Sequence, residues 1–283
     1  MEPAIGSLRR SAVWSVVRFG LLVVLISLTL SLFVTPWVER SWWSILRRCV
    51  SIASAVSLSV CITQFEKRSI QSYGFSDRRA GKRELVFGLG LGFSALGILL
   101  GLGLATGACQ ISLTPDRVKL WRTVLGFLPA ALLVGVLEEL VFRGFILQPL
   151  LAWSRPVAVS VSSLLYALVH LKTATVTLTG WLELGGLFLL GNVLALSYLK
   201  TQQLYLAIGL HAVLAYGARV NKLLIKFPDP SLSWLVGTSR LVNGLMSWIV
   251  LLGMAAVILR WGRKAAIRGS ERAPSAGLRG GSA

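Results

Sequence analysis

Residues 137–144 read Leu137-Glu138-Glu139-Leu140-Val141-Phe142-Arg143-Gly144, and they follow a run from Thr123 to Leu137 with no charged side chain. That run is apolar enough to lie in a bilayer. A charge at the centre of a membrane helix costs roughly 2.5–3.5 kcal/mol on insertion scales, so two carboxylates and an arginine there require partners, water or a function. The rest of the chain can be read outward from that requirement.

Of the 283 residues, 55% are hydrophobic and 14% are charged, and the mean hydropathy is +0.73. A water-soluble domain has no use for that much apolar surface, so the expected fold class is an all-α, polytopic membrane helix bundle with about eight transmembrane helices. The net charge of +18 would suggest nucleic acid in a soluble chain. Here Lys and Arg gather in short connections between apolar runs, where they set orientation, and no basic face interleaved with aromatics is present. Nucleic acid is therefore excluded as a partner, and the bilayer is the first partner expected. Cys49, Cys61 and Cys109 form no Cys-x-x-Cys pair and read as small buried hydrophobes.

The first apolar run reaches about Val34, behind Arg9, Arg10 and Arg18; no small-residue cleavage site precedes Pro36-Trp37, so it is expected as a membrane helix. The second spans about Trp43 to Thr63. The loop after it carries Lys67, Arg68, Arg78, Arg79, Lys82 and Arg83, the densest basic connection. The positive-inside rule makes that loop cytoplasmic, together with both termini. The third run, about Leu85 to Ala108, holds the pairs Gly88/Gly92, Gly97/Gly101 and Gly103/Gly107. These are expected to let neighbouring helices approach closely, whereas Gly-Leu-Gly-Leu-Gly lacks the spacing and strand context of a phosphate loop.

The fourth run passes Pro129 and Glu138 and ends near Leu151-Ala152, before a turn at Trp153-Ser154-Arg155-Pro156. A fifth run then leads through Tyr166 to His170. Residue 154 lies midway between Glu138 and His170, which places them about 24 and 22 Å from the turn along their helices. They should face each other in an antiparallel hairpin. The sixth run, about Leu182 to Leu199, carries Asn192, and the seventh, from Leu204, brings His211 about 13 Å beyond the Lys200–Gln203 turn. An eighth run, about Leu241 to Leu259, precedes a basic tail rich in Gly, Ser and Ala, expected to be disordered.

Glu139 and Arg143 are spaced i, i+4 and can neutralise each other as a purely structural pair. Glu138 is then left over, and both histidines of the chain lie in apolar runs at compatible depth. Such a cluster suits hydrolysis: a carboxylate accepts a proton from water, while imidazoles hold that water, protonate a leaving amine, or bind a metal. Glu138, His170 and His211 would be the ligands of a Zn²⁺ in that last version. The chain has no His-x-x-x-His or His-Glu-x-x-His helix, which favours the metal-free version.

Glu138-Glu139-Leu140-Val141-Phe142-Arg143, then Tyr166-Ala167-Leu168-Val169-His170, then His211 together resemble the signature of the CPBP family of intramembrane endopeptidases, the CAAX-protease and bacteriocin-processing (Abi-type) group. Arg143-Gly144-Phe145, and Gly191 ahead of Tyr198-Leu199-Lys200-Thr201, extend the likeness, which covers about residues 118 to 217. The resemblance implies that the first Glu activates water, that Glu139 and Arg143 orient and balance it, and that His170 and His211 complete the site. Two positions depart from it. Tyr166 stands where Phe is usual, and Ala215 stands where the family commonly has Asn, four residues after the last His. Tyr166 and Asn192 are the candidates to supply the missing polar contact to substrate or oxyanion.

The expected organisation is helices one to three with their basic loop over 1–112, a CPBP/Abi-like catalytic core over 113–218, a loop and last helix over 219–262, and a disordered tail over 263–283. The expected function is endopeptidase cleavage of a membrane-associated or hydrophobic peptide or protein by a multi-pass protein of the plasma membrane. The alternatives are a catalytically impaired relative acting as scaffold or immunity protein, and a small transporter using the same charges as a relay.

Overall fold

The computed structural model describes residues 2–170, 177–238 and 240–271, with side chains over 9–170, 177–229, 231–238 and 240–261. Eight long helices make up most of it: α1 (Glu2–Val34), α2 (Trp42–Val60), α3 (Arg78–Ala105), α4 (Arg117–Glu139), α5 (Arg155–His170), α6 (Leu178–Thr201), α7 (Tyr205–Leu224) and α8 (Leu245–Glu271). Polar residues fix several starts. The Asp77 carboxylate accepts from the backbone N–H groups of Arg79 and Ala80, Asp116 accepts from Lys119, and the Thr177 hydroxyl accepts from Gly180. Each satisfies donors that a helix N-terminus leaves open. The Asp77 cap starts α3 well before the apolar run that begins at Leu85.

Among the described residues, five segments are long and apolar enough to cross a membrane: Arg9–Trp37, Trp42–Glu66, Ile70–Ala105, Arg117–Leu150 and Leu178–Thr201. The architecture is thus an all-α membrane bundle. Of the other three long helices, α5 has 16 residues, about 24 Å of rise and short of a full hydrocarbon core. The last helix also runs on to Glu271, into the segment where a disordered tail was expected from 263. Arg263-Lys264-Ala265-Ala266 are strong helix formers that carry the backbone onward. Residues 272–283 of that tail lie outside the described residues.

Packing centres on α7, which lies between α3 and α4, while α1 pairs with α2, α5 with α6, and α6 with α8. Glycines explain the close approaches. A Cβ on Gly209 of α7 would sit 2.5 Å from the Leu85 carbonyl oxygen, and one on Gly88 of α3 would overlap that of Leu206. Gly92 likewise packs against Val213. Gly97 and Gly101 behave otherwise than expected: nothing lies within 4 Å of a Cβ built on either. The spacing is repeated along α3, but Gly88 and Gly92 are the ones that meet α7, which further along meets the Leu96 side chain at Gly217 instead. Two short strands, Gln110–Ile111 and Ile225–Lys226, pair antiparallel and tie the loop before α4 to the end of α7.

The chain of α4 does not stop at Glu139. It continues as a π-helical segment, Leu140–Leu147, in which every residue is buried. The wider turn leaves backbone acceptors without their usual partners, and the Ser162 hydroxyl of α5 donates to the Phe142 carbonyl at 3.1 Å.

Candidate active site

Gly135 brings α4 onto α7: a Cβ there would stand 3.1 Å from the Ile208 carbonyl oxygen and 3.3 Å from the Ala212 nitrogen. One turn further along α4, this approach lets Glu139 reach across to His211, with Oε1 2.6 Å from Nδ1. The same Oε1 lies 2.9 Å from Arg143 Nη1. Arg143 Nη2 donates to the Gly191 carbonyl at 3.0 Å. That carbonyl is within reach because Gly191 packs directly on Ser163 of α5. Arg143 and Glu139 are both fully buried, and the guanidinium also sits 4.9 Å from the Tyr166 ring centre. Such a pair is costly in a low-dielectric interior unless hydrogen-bonded; here Glu139 Oε1 and both terminal guanidinium nitrogens are engaged, while Glu139 Oε2 and Arg143 Nε have no hydrogen-bond partner among the described residues.

Glu138 points elsewhere. Its Oε2 lies 2.9 Å from His170 Nε2 and 3.4 Å from His211 Nε2, and its side chain keeps 26% exposure where that of Glu139 has none. The tautomers follow from the other ring nitrogens. His170 Nδ1 lies 2.8 Å from the Tyr166 carbonyl, which can only accept, so Nδ1 carries the proton. His211 Nδ1 donates to Glu139 in the same way. In neutral imidazoles both Nε2 lone pairs then face one oxygen of Glu138. Three lone-pair atoms converge, and the ionised charges of Glu138, Glu139 and Arg143 leave one negative charge in excess. A proton or a cation between them relieves both conditions, and an ordered water relieves the first.

The donor types suit a divalent metal: two imidazoles with Nδ1 held by a carbonyl and a carboxylate, plus one carboxylate. Among the described residues, however, no group of three or more His, Cys, Asp and Glu has the arrangement of a formed metal site.

Tyr166 completes the cluster. Its ring stacks on His170 at 4.3 Å between centroids and stands edge-on to His211 at 5.9 Å. Glu138, Tyr166, His170 and His211 open on a cavity of about 290 Å³ that Ala215 also lines. Of the residues expected from sequence, Glu138, Glu139, Arg143, Tyr166, His170 and His211 come together, and Asn192 does not. Its amide donates to the Phe188 carbonyl of its own helix at 2.7 Å, and it is not among the cavity's lining residues. Sequence reasoning missed the Gly191 carbonyl, the Ser162 contact, and an ion pair between Glu183 and Arg240 that also lines the cavity. Glu183, a lone acid in an apolar run, was the available signal.

Fold and site together define a polytopic helical membrane protein with a buried glutamate, histidine and arginine cluster. Residues 120–216 match the Rce1-like family, described as type II CAAX prenyl endopeptidase Rce1-like. The match covers about a third of the chain and agrees with the resemblance to intramembrane endopeptidases carried by Glu138, Glu139, Arg143, His170 and His211. No curated protein and no solved structure matches the chain significantly.

Proposed function

We propose that this chain is an endopeptidase that cuts an apolar peptide segment within or at the membrane, with Glu138 as general base. The observation that carries this reading is the position of Glu138: it is the one carboxylate of the Glu-Glu pair that faces the cavity, and both imidazoles point Nε2 at it. Glu138 takes a proton from water as the water oxygen attacks the peptide carbonyl carbon. The C–N bond then breaks as Glu138 returns that proton, through the Nε2 of a neighbouring imidazole, to the leaving nitrogen. Glu139 and Arg143 act through His211 and through charge balance. Tyr166, which lines the cavity, donates its hydroxyl to the developing oxyanion in this reading, the role left open by Ala215. If a metal binds, Glu138, His170 and His211 would hold it, and it would polarise the carbonyl and acidify water.

The experiment is cleavage of a fluorogenic apolar peptide library by purified protein in nanodiscs, with and without chelator. Glu138→Gln should lower kcat/KM by about 10²–10⁴ with an unchanged melting temperature. Full activity in that variant would refute the reading, and chelator sensitivity would add the metal. A second reading, an impaired relative kept as a membrane scaffold or immunity protein, is favoured by one observation, the apolar Ala215 on the cavity wall. Well-folded wild type that cuts nothing in a broad library would support it.

A further inference from the structure

Two helices measure the cavity independently. On α4, Glu138 and Phe127 both line it, and on α7, His211 and Lys222 do. Each pair is separated by eleven residues of sequence, or about 16 Å of helical rise. Both run away from the Leu151–Ser154 turn and the start of α7, so the far end of the cavity is the same for both. Ala215 and Ala218, one and two turns from His211, leave a trough along α7, walled opposite by Leu187 and Met254. The trough is apolar along its length and cationic where it ends. Arg219 and Lys222 line that end and are exposed, and Arg240, paired with Glu183, lines it too.

An extended peptide rises about 3.3 Å per residue, so about five residues span the distance from Glu138 to these cations. Resting on the endopeptidase reading above, we propose that Arg219 and Lys222 form an anion subsite that selects a carboxylate about five residues from the bond cut. The occupant is an extended, otherwise apolar peptide, and the carboxylate is either its C-terminus or an acidic side chain. An apolar trough gives no register, because one methylene step costs little in any direction. A charge at a fixed distance supplies one.

The test uses fluorescent Leu/Ala peptides of about ten residues, in nanodiscs of phosphatidylcholine alone, against the full chain carrying Glu138→Gln so that nothing is cut. Three forms are compared by anisotropy: a C-terminal amide, a free C-terminus, and an amidated peptide with one Asp. Two favourable exposed pairs predict about five-fold tighter binding of a carboxylate form than of the amide. The preference should vanish at high salt and fall to about one when Arg219→Gln and Lys222→Gln are added. Gain by the free C-terminus alone assigns a terminal carboxylate, and gain by the Asp peptide assigns an internal acid. Equal binding of all three forms overturns the proposal, as does an effect of the two substitutions seen only with phosphatidylglycerol vesicles, which would make the cations headgroup contacts. Preserved carboxylate preference without any cleavage by wild type would leave the subsite standing and remove the endopeptidase reading instead.

Discussion

His211 Nδ1 donates to Glu139 Oε1 across 2.6 Å, joining α7 to α4 at the buried side of the site. This contact fixes the tautomer that leaves His211 Nε2 facing Glu138. Glu139→Gln keeps the size of the side chain but removes its charge and can turn an N–H towards Nδ1, so the proton of the imidazole is no longer held there. Steady-state kinetics should show kcat lower by about 10² or more with KM little changed. A shift in KM alone would place Glu139 in substrate binding instead.

Arg143 is expected to be a stability residue before it is anything else. It is fully buried, bonded to Glu139 and to the Gly191 carbonyl. Arg143→Ala strands a buried carboxylate and should cost about 3–5 kcal/mol in unfolding measured in mixed micelles. Arg143→Lys should recover only part of this, because a point charge cannot serve two acceptors as the planar fork does.

Tyr166 and Ala215 can be tested together. Tyr166→Phe removes one oxygen and keeps the ring that stacks on His170, so folding should be unaffected while kcat falls by about 10²–10³. Ala215→Asn introduces an amide on the same cavity wall and should restore part of the loss. If Tyr166→Phe cuts peptide at the wild-type rate, the oxyanion donor is elsewhere.

The glycines of α3 should separate by position. Gly88→Ala places a methyl group against the Leu206 carbonyl and should destabilise by about 1–3 kcal/mol. Gly97→Ala meets nothing within 4 Å and should be neutral or slightly stabilising, since Ala is the better helix former. Parallel melting of the two variants checks the difference.

Much of this was legible before any coordinates. Apolar runs with basic connections determine a helical membrane protein, because unpaired backbone cannot cross a bilayer. The cost of burying charge singles out Glu138, Glu139 and Arg143. The symmetry of Glu138 and His170 about residue 154 places them together because a helical hairpin keeps depth, and they lie 2.9 Å apart.

What only the tertiary structure decided is rotation. Adjacent residues on a helix point about 100° apart, so the i, i+4 pairing of Glu139 with Arg143 left Glu138 over without showing where it faces; the approach of α7 over Gly135 decides that. The same holds on α6, where Gly191 turns to α5 and Asn192 to its own backbone. The π-helical segment after Glu139 has no sequence signal of its own, and it depends on an acceptor being satisfied by Ser162 from another helix. Periodicity is a local property of the chain, whereas the direction a side chain faces depends on which neighbour its helix meets.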